Sequence, residues 1–212
     1  MPLDASAIAQ QIKVALNQAT QPTSAETLGM AQAIVEEITT MGLVSFLPAT
    51  VEGTAPPTGG PLLNGKASNG LIVGPLGPHL ANLMKSKMNK PSITAQLLSM
   101  GNAIANCIIL GKVNFAENKV TGLCTNTPLN PGAFTGGATD GLISGLDSGK
   151  LADDLANPYG GKSPEVIALA SAITTYIMGN AAVSFAMPLM TGTCSAGGGP
   201  LALGAGSGGT IL

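Results

Sequence analysis

Ala182-Val-Ser-Phe-Ala-Met-Pro-Leu-Met-Thr-Gly-Thr193 is the third appearance of one pattern in this chain. The first is LVSFLPATVEGT at 43–54 and the second is KVNFAENKVTGL at 112–123. Each has Val, a small polar residue, Phe, and then Gly seven positions after the Phe. The pairs Val44/Phe46, Val113/Phe115 and Val183/Phe185 recur at spacings of 69 and 70 and hold three of the four phenylalanines. A fixed period of this length marks a repeated supersecondary unit. Alternation of Val and Phe around one polar residue has the period of a half-buried strand.

The alignment extends outward from the strand. Upstream, Ser24, Ser92 and Ser163 each open an apolar helical run, SAETLGMAQAIVEEITTMG, SITAQLLSMGNAIANCIILG and SPEVIALASAITTYIMGNA. A serine there can accept from orphan N–H groups, Glu26 and Glu165 suit the positive helix end, and Pro164 suits the first helical position. Shorter helices are predicted from ASAIAQQIKVALNQ, PHLANLMKSKM and SGKLADDLAN. Downstream, Gly53, Gly122 and Gly192 are followed by GGPL, PGAF and GGPL, which place Gly60, Gly132 and Gly199 in register. Each unit closes on an isoleucine, Ile72, Ile143 or Ile211. The expected fold is α+β: three tandem repeats of helix, helix, strand, glycine turn and Gly-rich strand or loop. Their bounds are 1–74, 75–145 and 146–212, in one compact unit that is either stacked or pseudo-threefold.

This reading also covers the glycine-rich end, GGGPLALGAGSGGTIL at 197–212. A phosphate loop must follow a strand and open a helix, and only Thr210-Ile-Leu follow Gly209. As the third copy of segments at 59–72 and 131–143, it is expected to be an ordered framework element.

Composition narrows the function. Only 20 of 212 residues are charged, 9% against a usual quarter, and the net charge is −2. No basic footprint for nucleic acid is present. So little charge implies an exterior covered largely by partners, a substrate or a membrane. The N-terminal MPLDASAIAQQIKVALNQ lacks the basic and apolar regions of a signal peptide, so production in a reducing cytoplasm is expected. Val166–Leu212 carries no charge, yet Ser171, Thr174, Thr175, Asn180 and Ser184 interrupt it. A buried helix followed by a strand accounts for it better than a membrane span.

No catalytic constellation emerges. Cys107, Cys124 and Cys194 are odd in number, without a C-x-x-C pair, which argues against a disulfide framework and against zinc. Cys124 and Cys194 fall two residues after the repeated glycine, where the first unit has Ala55, and read as small core positions. His79, the single histidine, has no evident acidic orienter for a Cys–His pair. The adjacent pairs Glu36-Glu37 and Asp153-Asp154 read as solvated surface. Methionines including Met84, Met88, Met100, Met178, Met187 and Met190 read as gap-filling core or subunit interface. No cofactor or metal is expected.

The pattern V-x-F…TGTC…GGPL…GAGSGGTI after an S-P-E-capped helix resembles small repeat proteins of tailed-bacteriophage particles. The resemblance implies a non-enzymatic virion component, in a tail or baseplate or decorating a capsid, with other protein subunits as partners in a homo- or hetero-oligomer. Two other readings have their own requirements. A small-molecule or carbohydrate module needs matched polar or aromatic positions, and only Ser45, Asn114 and Ser184 match. A membrane-inserted protein needs a spanning helix.

Overall fold

The computed structural model describes every residue except Met1, Pro2, Asn17, Ala19 and Gln21, together with the side chains of Pro158 and Tyr159. The chain divides into two compact units, and each takes one segment from each of the three stretches. One comprises residues 1–42, 74–111 and 145–181; the other comprises 43–73, 112–144 and 182–212.

The first unit holds six helices: α1 (Ala5–Ala15), α2 (Ala25–Met41), α3 (Gly77–Lys87), α4 (Ala95–Leu110), α5 (Ser148–Tyr159) and α6 (Pro164–Asn180). Side-chain oxygens of Asp4, Ser24, Thr94, Asp147 and Ser163 accept from backbone N–H groups in the first turn of their helices. Thr94 rather than Ser92 caps α4, taking the Leu97 N–H at 3.1 Å. Each helix packs on its sequence neighbours, and α6 returns to α1, so the six close into a ring.

The buried face is set by pairs one turn apart. Ile8/Ile12, Ile34/Ile38, Leu80/Met84, Ile104/Ile108, Leu151/Leu155 and Ile173/Ile177 contribute one such pair per helix, all essentially sealed from solvent. Burying each of these side chains is worth about 1.5–3 kcal/mol. Between α3 and α4 the backbones approach so closely that a Cβ on Gly101 would lie 2.5 Å from the Gly77 carbonyl oxygen. Among the described residues, no helix is long and apolar enough to cross a membrane.

The second unit is entirely antiparallel. Its strands are β1 (Leu43–Phe46), β2 (Val51–Ala55), β3 (Gly60–Pro61), β4 (Leu63–Val73), β5 (Lys112–Phe115), β6 (Val120–Cys124), β7 (Gly132–Ser144), β8 (Ala182–Cys194) and β9 (Gly199–Ile211). β1 and β2 lie in line, pairing with β4 on one side and β9 on the other. β4 and β3 pair with β5 and β6, which pair with β7; β7 pairs with β8, and β8 with β9. With in-line strands counted as single bent staves, six staves form a closed barrel. Closure leaves no sheet edge to pair adventitiously.

The glycine turn expected in each unit is absent at Gly53, Gly122 and Gly192, which lie inside β2, β6 and β8. The chain turns earlier, at Leu47–Thr50 and Ala116–Lys119, where Ala49 and Asn118 take φ of 67° and 65°. In the last stretch β8 runs through the corresponding region unbroken. The glycine-rich end forms β9, joined to both β8 and β1.

Removal of Ser207–Leu212 deletes the pairs Leu43↔Thr210, Val44↔Gly209 and Val183↔Ile211 and opens the seam at one end of the barrel, beside the phenylalanine layer. The truncated chain is expected to lose its cooperative denaturant transition by circular dichroism, and a transition unchanged from the full chain rejects this role for the tail.

Candidate functional site

The fifteen repeated positions gather on the barrel unit, and the inward-facing ones build its interior in layers. Val44, Val113 and Val183 stand directly across from Ile72, Ile143 and Ile211, all buried. Such β-branched cross-strand pairs stabilise a sheet by about 0.2–1 kcal/mol each. One step further along the staves come Phe46, Phe115 and Phe185, whose rings meet each other. Their centroids are 5.8 Å (46–115), 5.6 Å (46–185) and 5.9 Å (115–185) apart, with the rings tilted by 52–74°. These are favourable edge-to-face separations, worth about 0.5–1.5 kcal/mol per pair beyond burial.

The rings fit because each lies against a glycine, where a side chain would collide with it. A Cβ on Gly70 would lie 2.5 Å from the Phe46 ring, one on Gly141 2.5 Å from Phe115, and one on Gly209 2.2 Å from Phe185. These three glycines were not singled out from sequence. The signal was present, since each stands two residues before a closing isoleucine, in GLI, GLI and GTI. Beyond the rings lie Val51, Val120 and Met190, also buried.

The far layer repeats this arrangement. Leu62 lies against Gly53, Phe134 against Gly122 and Leu201 against Gly192. Gly60, Gly132 and Gly199 begin β3, β7 and β9. Gly60 and Gly199 take φ of 118° and 125°, which a side chain would resist, whereas Gly132 packs its α-carbon against the Asn126 backbone.

In this layer Ala55, Cys124 and Cys194 are all buried, and Cys124 and Cys194 form a disulfide with Cα atoms 6.0 Å apart. This corrects the expectation of unpaired core cysteines. Both cysteines flank β7, where they pair with Phe134 and Gly132, so residues 70 apart in sequence become neighbours across one stave. The third thiol, Cys107, is buried in α4, and burial pushes its pKa up to about 11, leaving it protonated and poorly nucleophilic at neutral pH.

The helical unit contains a second correction. Glu37 is 0% exposed rather than solvated, and it pairs with Nδ1 of the half-exposed His79. Its Oε1 also accepts the Leu76 N–H at 2.7 Å. The acidic partner missing from the sequence reading thus comes from α2, 42 residues away. Leu76 is the N-cap of α3, which has no capping side chain of its own. The Tyr176 hydroxyl treats Asp4 in the same way, donating to its carbonyl and accepting from its N–H, both at 2.8 Å. The Cys107 thiol donates weakly to the Asp147 carbonyl at 3.9 Å. In all three cases a long helix holds the first residue of a short helix.

The other ionic contacts are exposed pairs: Glu52–Lys66, Glu36–Lys87, Glu26–Lys90, Asp140–Lys119, Asp154–Lys150 and Asp153–Lys162. Lys119 beside Asp140 holds its carboxyl below the usual range. Paired this way, none of these carboxylates is arranged with another to share a proton. Among the described residues no group of three His, Cys, Asp or Glu side chains could hold a metal ion. The barrel layers are built of apolar side chains and the disulfide, and the one buried polar side chain among the described residues of this unit, Asn126, donates from its amide to the Pro56 carbonyl at 2.8 Å. No family model, curated protein or solved structure matches the chain.

Two measurements test this site. Gly70→Ala is expected to destabilise the protein by about 1–3 kcal/mol through overpacking. On a Phe46→Leu background the same change should cost clearly less, and additive losses in a double-mutant cycle reject the ring-on-glycine contact. Reducing the disulfide, or replacing both Cys124 and Cys194 by Ser, should lower stability by about 4 kcal/mol, from loop-closure entropy over 70 residues. An identical denaturation midpoint with and without reductant would show that the cross-link does not form.

Proposed function

We propose that this chain is a non-enzymatic structural subunit of a large assembly, of the kind found in tailed-phage particles. In this reading three equivalent helix–helix–strand units, spanning 1–74, 75–145 and 146–212, are arranged around a pseudo-threefold axis rather than stacked. The three mutually touching phenylalanines, each packed against a glycine, support that arrangement.

The observation that carries the assembly reading is the exterior of the barrel unit. Leu47, Leu63, Leu123, Leu142 and Met187 project outward, with Leu129 at 87% and Leu203 at 65% exposure. Scattered apolar side chains are ordinary on a protein surface, but this many on a unit whose last stretch, 182–212, has no charged residue favour protein–protein contact. A framework of packed layers suits a part that must hold its geometry under neighbours' load. The partners are other protein subunits, copies of this chain or different ones.

Light scattering coupled to size exclusion, with electron microscopy of the eluted species, checks this reading. The expected result is oligomers or ordered particles whose formation is lost in a Leu129→Lys/Leu203→Lys variant with an unchanged melting temperature. A monodisperse monomer at the highest concentration reached counts decisively against the assembly role.

A further inference from the structure

The helical unit contains a cavity that neither the barrel nor the assembly reading uses. It lies where α2 and α6 begin and α1 and α3 end, is half open to solvent, and has a volume of about 490 Å³. Its apolar wall is formed by Ile12, Leu16, Met30, Met88, Met100 and Leu169. Ile12, Met30, Met100 and Leu169 are buried parts of the ring's core, so this wall is preformed rather than a loose surface hollow. Met30, Met100 and Leu169 occupy the same turn of their helices, six residues after the caps Ser24, Thr94 and Ser163.

Two carboxylates, Glu26 and Glu165, stand on the rim. They differ in their partners. Lys90 takes Glu26, while Glu165 has no cationic partner among the described residues. The Ser163 hydroxyl beside Glu165 holds its carboxyl below the usual range, so it is ionised at neutral pH. A half-open cavity of this size, with Gln18, Ser24, Thr27 and Ser163 beside its apolar wall, is within the range of ordinary small-ligand pockets. Three methionines give it soft, adaptable walls that tolerate differently shaped aliphatic bodies.

We propose that this chamber binds a small amphipathic cation: an aliphatic body that fills the methionine-lined wall, and one ammonium head that meets the Glu165 carboxylate at the rim. A neutral aliphatic ligand gains the burial but not the ion pair. An anionic one places like charge against Glu165, and is selected against for that reason. The inference concerns the helical unit alone and holds whether or not the chain assembles.

The test uses the full chain with methyl-labelled methionine, whose signals are assigned by single Met→Leu substitutions. Octylammonium, 1-octanol and octyl sulfate are titrated below their aggregation limits. Octylammonium is expected to shift the Met30, Met88 and Met100 methyl signals selectively among the nine methionines. Octanol should bind more weakly and octyl sulfate most weakly. Glu165→Gln should reduce octylammonium affinity by up to about fivefold, the worth of an exposed ion pair, while leaving octanol unchanged. The proposal is overturned if those three signals do not move, or if all nine move together. It is equally overturned if octylammonium binds no better than octanol or octyl sulfate.

Discussion

The contact among Phe46, Phe115 and Phe185 is the constraint on which the barrel unit depends. Six staves enclose an interior that must be filled by side chains, because an unfilled layer forfeits dispersion contacts on every wall. Three rings with centroids 5.6–5.9 Å apart fill one layer between them. They can do so only if the neighbouring stave yields, and Gly70, Gly141 and Gly209 are where it does. Large and small residues therefore alternate around the barrel, with aliphatic layers of Val and Ile on one side and of Val and Met on the other. The disulfide ties β6 to β8 across β7 at the next layer.

The helical unit solves a different problem. Its short helices α1, α3 and α5 need their first turns held, and each is gripped by the long helix that precedes it around the ring. Tyr176, Glu37 and Cys107 make these grips with three unlike chemistries: a phenol, a carboxylate and a thiol. The carboxylate is the costly one. A fully buried carboxyl group is tolerated because His79 and the Leu76 N–H both meet it. The grips of Tyr176 on Asp4 join α6 to α1 and so close the ring through hydrogen bonds as well as packing.

Much of this was legible in the sequence for a definite reason. A residue that must face a barrel interior, such as Val113 or Phe115, carries that requirement in its type and in the period-two pattern around it. The capped helices, with the α4 cap two residues from the expected Ser92, and the ordered, repeated nature of the glycine-rich tail were readable on the same basis, since caps, apolar spacing and repetition are local signals. Other features were not readable. Cys124 and Cys194 were judged by their number and their distance along the chain, neither of which reports that two staves flank a third. Glu37 resembled Glu36 beside it, yet one is sealed inside the ring and the other pairs with Lys87 at the surface. Adjacent helical residues point to different sides, and only the neighbouring helix decides which side is dry.

By itself the sequence determined the α+β class and the apolar pattern of its long helices and V-x-F strands, because these follow from side-chain size, polarity and period. The tertiary structure alone decided closure: of six staves into a barrel, of six helices into a ring, and of two distant thiols into a bond. Closure depends on whether the last element returns to the first, as β9 does to β1 and α6 to α1. That return is a property of accumulated twist and packing angles along the whole chain, to which every residue contributes and which no single motif records.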